Sequence, residues 1–364
     1  LSFTGKILSI NCQVPLFEKK IWQSEDTLFN VRLGFSLYSN QRFYFTIQND
    51  KQYKGISMIS QWHAATMGVA NLDSALEFWI EAVGYEVVAV TEGADVDLAQ
   101  QWSLDACAVK RQAFIGAPNT TCGYLHLVEM HEPGPSVRAG AAVFDACPKN
   151  IDVYVTDIGQ RIKALKALGY IFRSPKHSVV TAEDGTRFCE MHIGIHDDIN
   201  LVLLELPAQA IATNALGFGA IGPIITVVPN VVDEKRFYQE ILKLELLTDN
   251  FFDGEAIEQM IGLPSGAGLE VSIWGRKGDC EAQLELVQYV GVVGDSRFSR
   301  ATLPNCGLHQ VCFKTTDASE IALQASAAGS LVIHRGRLST LAGSGEYWTL
   351  YTPAGMRIDL MTAS

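Results

Sequence analysis

WHAATMGVANLDSALEFWIEAVGYEVV, residues 62–88, opens the part of the chain from which the fold can be read. The first residues are apolar and suit a strand. Asn71 then stands where a helix N-cap belongs, and Leu72, Ala75, Leu76, Trp79 and Val83 recur at helical spacing. Gly84 supplies the stop. A strand followed by one amphipathic helix is a common unit, so the informative question is whether it returns.

It returns three times, at a loose period of about 70–90 residues. The second copy is NIDVYVTDIGQRIKALKALGYIF from Asn150, with Gly169 after its helix. The third is PIITVVPNVVDEKRFYQEILKLELL from Pro223, and the fourth is LHQVCFKTTDASEIALQASAAGSLVI from Leu308, with Gly329 as its stop. Each copy closes on a strand: GYLHLVEM, INLVLLEL, AQLELVQY and MRIDLMTA. The series predicts an α+β protein of four βαβββ modules. One module cannot bury both faces of its sheet, so modules are expected to pair into two curved mixed sheets, each with a concave cup.

The stretch from Gly217 to Gly222, GFGAIG, spells a dinucleotide-binding fingerprint. That fingerprint needs a strand before it and a helix directly after it, because the helix N-terminus holds the pyrophosphate. Here a loop-like segment precedes it and the strand PIITVV follows. The reading is therefore a flexible junction between two halves, with no nucleotide cofactor. Domain boundaries follow: residues 1–57 as an N-terminal extension, 58–207 as modules 1 and 2, 208–222 as linker, and 223–364 as modules 3 and 4.

The N-terminal extension differs in composition, with no alanine before Ala64. Phe29, Val31, Leu33, Phe35 and Leu37 alternate, as do Phe43, Phe45 and Ile47, which predicts a β-hairpin. Two readings are open: an upstream or fused extension to a body starting near Met58, or an ordinary hairpin packed on that body. The net charge of -12 argues against nucleic acid as a partner. The eight cysteines are scattered without a C-x-x-C pair, which suits a reducing, cytoplasmic compartment. From Pro207 to Val232 no residue is charged, but Pro223, Pro229 and several glycines fit a linker and buried strand better than a membrane span.

Four βαβββ units, with GVANLDSALEFW after the first strand and LELVQ in a closing strand, resemble the vicinal oxygen chelate superfamily. That group includes glyoxalase I, extradiol dioxygenases and bleomycin-resistance proteins. The resemblance covers Met58 to Ser364 and implies metal-ligand slots on the opening strand and in the closing strand of each module. In module 3 these slots fall on Pro223 and Glu285, and in module 4 on His309 and Asp359. In module 1 they fall on Ala64 and His126, and in module 2 on Asn150 and Leu203, with Glu205 beyond.

The resemblance thus implies a metal site of Glu285, His309 and Asp359 in the C-terminal half, with His126, Asn150 and Glu205 as residues of a second cup. Fe, Mn, Ni, Co or Zn would suit that ligand set, with Glu285 or Asp359 as general base. Pro223 departs from the pattern because it has no side-chain donor. A separate pair, His192 and His196, stands four apart, but strand geometry would put them about 13 Å apart. A structural or pocket-lining role is expected there.

The functional expectation is a metal-dependent lyase, isomerase or ring-cleaving dioxygenase acting on a small molecule with neighbouring oxygens. The alternative is a metal-free binding or drug-sequestering protein of the bleomycin-resistance type. Either would act as a monomer or a homodimer.

Overall fold

The computed structural model describes residues 59, 61–182 and 185–363, together with the backbone of two short strands nearer the N-terminus. The chain divides into two compact units, Leu1–Ile56 and Ser57–Ser364. In the first, β1 (Ile21–Ser24) and β2 (Thr27–Asn30) pair antiparallel. The hairpin expected over 29–47 lies outside the described residues apart from its first two positions.

The second unit contains the four modules in the expected order. Module 1 holds β3 (Ala64–Val69), α1 (Leu72–Leu76), β4 (Glu86–Glu92), α2 (Val96–Trp102), β5 (Val109–Gly116) and β6 (Tyr124–Met130). Module 2 holds β7 (Cys147–Val155), α3 (Ile158–Ala167), β8 (Ser178–Thr181), β9 (Arg187–Gly194) and β10 (Asn200–Glu205). Module 3 holds β11 (Phe218–Val227), α4 (Val231–Glu240), β12 (Glu245–Phe252), α5 (Glu255–Ile261), β13 (Gly268–Gly275) and β14 (Gln283–Val290). Module 4 holds β15 (Gly307–Thr315), α6 (Ala318–Ala327), β16 (Val332–Thr340), β17 (Gly343–Tyr351) and β18 (Arg357–Ala363).

Local chemistry accounts for the helix ends. Asn71 Oδ1 accepts from the Ser74 amide at 2.9 Å, and Asn230 Oδ1 accepts from Val232 and Asp233. Beyond α1 the helix widens into a π turn over Glu77–Ala82 and ends at Gly84, whose φ of 80° is left-handed. The helices α2 and α5 are additions to the βαβββ plan, inserted after the second strand of modules 1 and 3. Each is short, so neither produces a periodic signal long enough to separate it from a loop.

The modules pair as 2 with 3 and 1 with 4. One eight-stranded sheet runs β12-β13-β14-β11-β7-β10-β9-β8, and the other runs β16-β17-β18-β15-β3-β6-β5-β4. In each, the two opening strands meet antiparallel at the centre, and each closing strand lies parallel to its own opening strand. The sheets share one apolar core with α1, α3, α4 and α6, including Trp62, Phe78, Trp79, Leu203, Ile224 and Leu360. Each such large side chain contributes roughly 2–3 kcal/mol by leaving water. The concave faces carry separate clusters, with α5 over the sheet of modules 2 and 3 and α2 over that of modules 1 and 4.

The GFGAIG stretch is shorter as a linker than expected, because β11 begins at Phe218. Its glycines serve close packing. A Cβ at Gly222 would stand 3.0 Å from the Tyr154 ring, and one at Gly217 would stand 2.0 Å from Arg161 Nη1. Gly217 also has a φ of 79°. Gly217→Ala is expected to keep the fold and cost about 1–2 kcal/mol, read from the urea unfolding midpoint.

Candidate functional site

The three residues of the expected metal site do not meet. Glu285 lies on β14 in the sheet of modules 2 and 3, whereas His309 on β15 and Asp359 on β18 lie in the other sheet. The reason is the module pairing, which separates modules 3 and 4. Among the described residues no three His, Cys, Asp or Glu side chains are arranged to hold a metal ion.

Asp359 is fully buried and its carboxylate is already satisfied. Arg357 pairs with it through Nε and Nη2, both at 3.0 Å. Thr349 Oγ1 and Gln101 Nε2 each donate to it at 2.7 Å. Arg357 also donates to the Gln101 carbonyl and lies 3.6 Å from the Trp102 ring centroid. Gln101 and Trp102 belong to α2, so this helix occupies the cup of modules 1 and 4 as a tethered plug.

The histidines of that sheet fit the same reading. His309 Nε2 donates to the Asn305 carbonyl at 2.8 Å, and its ring sits edge-on to Trp102. Burial pulls its pKa down to about 4, and Arg357 adds to the effect, so the ring is neutral. His126 Nε2 donates to Gln112 Oε1, Gln112 donates to Asp95, and Asp95 caps α2 through the Leu98 amide. Burial likewise takes the His126 pKa to about 4.

Glu205 also has another task. Its carboxylate accepts from the Asp157 amide at 2.7 Å and from the Ile158 amide, at the start of α3. Leu203 points into the shared core. His192 and His196 serve different partners, Glu190 with Asn200 and Trp79 with Asp197.

The cup of modules 2 and 3 is the open one. It encloses a cavity of about 400 Å³ between its concave strands and α5. Alternation along β7 brings Asn150, Asp152 and Tyr154 to the cavity, and the same rule brings Glu190 from β9 and Glu285 from β14. Registers place Glu285, Ile225, Asn150 and Asn200 in one row across four adjacent strands. Apolar side chains such as Phe252, Met260, Leu269 and Val271 form the wall.

Electrostatically the floor is an acid cluster short of counter-charge. Burial pushes the Asp152 carboxyl well above the usual range, and Glu285 and Glu190 push it further. Burial, then Glu190, raises Glu285 to about 8, against a smaller pull from Lys149. Lys149 is buried at a bulge of β7 and donates to Tyr289 Oη at 2.6 Å. Asp152 Oδ1 and Asn150 Oδ1 are buried without a hydrogen-bond partner.

No family model matches the sequence, and no curated protein matches it. Solved structures do match the fold. Glyoxalase I from Zea mays superposes with a TM-score of 0.57 at 14% identity, covering 83% of this chain and 92% of the other. A candidate dioxygenase from Bacillus subtilis gives 0.55 at 10% identity, covering 84% and 86%. The chain has the vicinal oxygen chelate fold.

At that identity the vicinal oxygen chelate architecture is shared and the chemistry rests on the residues themselves. The ligand slots of this cup hold Pro223, which has no side-chain donor, Leu203, which faces the core, Asn150 and Glu285. The set offers one carboxylate and one amide oxygen and no imidazole, so the expected histidine–carboxylate centre is not formed. Asp152 and Glu190, which the slot pattern missed, supply the remaining carboxyl groups. Their signal in the sequence is period-two polarity, N-x-D-x-Y in one strand and E-x-H in another, within otherwise apolar strands.

Proposed function

We propose that the cup of modules 2 and 3 is the working site and binds a small, mainly apolar molecule. Its polar end rests on the carboxyl floor, in the manner of the metal-free binding proteins of the superfamily. The observation that carries this reading is the pairing of an apolar-walled cavity with desolvated acids at its base. The other cup is filled by α2, which leaves it no comparable role. Each eight-stranded sheet is complete within one chain, so neither cup needs a second copy. No helix among the described residues is long and apolar enough to cross a membrane.

A second reading keeps the enzyme expectation: a lyase, isomerase or dioxygenase whose divalent ion arrives with the substrate oxygens. The two partnerless oxygens of Asn150 and Asp152 favour it. Such an ion would supply Lewis acidity. The chain's own contribution would be Asp152 or Glu285 accepting a proton from the bound molecule.

Elemental analysis of tag-free protein, combined with thermal-shift screening of small molecules, separates the two. Binding without a stoichiometric metal, abolished by filling the cavity with Met260→Trp, is the expected result. One equivalent of metal lost in Glu285→Ala would overturn it in favour of the second reading.

A further inference from the structure

The cup's polar inventory specifies its ligand more narrowly than its shape does. This step rests on the small-molecule reading above. Asn150 and Asp152 are each 6% exposed, both line the cavity, and each has a side-chain oxygen with no donor. Glu285 lines the same floor. Gln283, beside it, spends its amide N–H on the Asp279 carbonyl. Among the described residues no salt bridge includes Asp152 or Glu285, and Lys149 exerts only a smaller pull on Glu285. Asn150 and Asp152 therefore each present the cup with an oxygen in want of a donor.

We propose that the cup of modules 2 and 3 recognises an organic ammonium, an amine on an apolar body, with Asp152, Glu285 and Asn150 receiving its N–H groups. An ammonium is donor-only and positively charged, so on binding it lets the floor acids release to solvent the protons they hold against their mutual repulsion and accept its N–H groups as carboxylates. A carboxylate ligand would add to that repulsion, and a neutral alcohol brings one donor and no charge.

Geometry separates an ammonium from a bare metal ion. A divalent cation needs its oxygens within about 2.0–2.6 Å, and no three acidic or imidazole groups here are so arranged. Charge-assisted N–H···O bonds reach about 2.7–2.9 Å, and the three hydrogens of an ammonium diverge, so they can span more widely separated acceptors. The apolar wall of Phe252, Met260, Leu269 and Val271 gives the hydrocarbon part its place, which a free ion would leave unfilled.

The test compares hexylamine, hexanol and hexanoate as isosteric probes, with Mn²⁺ alone as the competing cation, by calorimetry on the full chain. The expected order is hexylamine tighter than hexanol by about ten- to a hundred-fold, the range for a hydrogen bond to a charged partner, with hexanoate weakest. Asp152→Asn should remove most of the amine's advantage and leave hexanol unchanged, while Met260→Trp should weaken both. Equal affinities for amine and alcohol, both lost in Met260→Trp, would overturn the ammonium inference and leave the small-molecule reading standing. Mn²⁺ binding at one equivalent that hexylamine cannot displace would also overturn it. Failure of every probe, with no change in Met260→Trp, would overturn the inference and that reading together.

Discussion

Arg357→Ala is expected to lower the melting temperature by about 10 °C without touching the open cup. Removing the guanidinium leaves buried Asp359 without its paired charge: Thr349 and Gln101 supply hydrogen bonds only, and Arg335, the remaining cation nearby, bonds Thr349 Oγ1 and not the carboxylate. Breaking a buried pair in this way costs about 3–5 kcal/mol. Domains of 150–250 residues lose roughly 2–4 °C per kcal/mol. The change also strips α2 of two anchors, the bond to the Gln101 carbonyl and the stacking on Trp102.

A paired replacement of Arg357 by Met and Asp359 by Leu should recover most of the loss, because it removes both charges at once. Differential scanning calorimetry reads both outcomes. Hexylamine binding measured well below the transition should be unchanged. If Arg357→Ala or Asp359→Asn left stability intact and abolished ligand binding, the structural role assigned to this network would be wrong.

The second large effect is a dependence of stability on pH. Folded Glu285 keeps its proton up to about pH 8, while in the unfolded chain the same carboxyl releases it near 4.5. Between those values the folded state binds more protons than the unfolded state, so each rise in pH favours unfolding. Stability is therefore fullest below about pH 4.5 as far as this group is concerned, and is lost progressively toward pH 8. The steepest slope for one such group is about 1.4 kcal/mol per pH unit. Asp152 acts in the same direction and shares the effect, because the two carboxyls repel each other.

Glu285→Gln removes the titration while preserving shape. It is expected to flatten the profile and to exceed the parent protein in stability near pH 8 by on the order of 2–3 kcal/mol. Urea unfolding of both proteins across that range measures it. A variant less stable than its parent at the alkaline end would mean that Glu285 is paired as an anion, and the picture of an uncompensated floor would fail. An amine in the cup supplies the missing counter-charge, so hexylamine should reduce the parent's alkaline loss.

The sequence by itself determined the modules, because the signals that make a module are local. Asn71 and Asn230 cap helices a few residues away, Gly84, Gly169 and Gly329 adopt left-handed backbone where a helix must stop, and closing strands alternate within themselves. Pairing is different in kind. Every module presents a similar opening strand, and nothing within one module says which other strand it will meet. Only tertiary packing joined β7 to β11 and β3 to β15, and that choice put Glu285 in one cup and His309 with Asp359 in the other. Burial then decided the chemistry: a carboxyl group is a charge-paired structural anion at Asp359, a helix-side acceptor at Glu205 and a proton-holding acid at Glu285, according to what charge and water each is left to face.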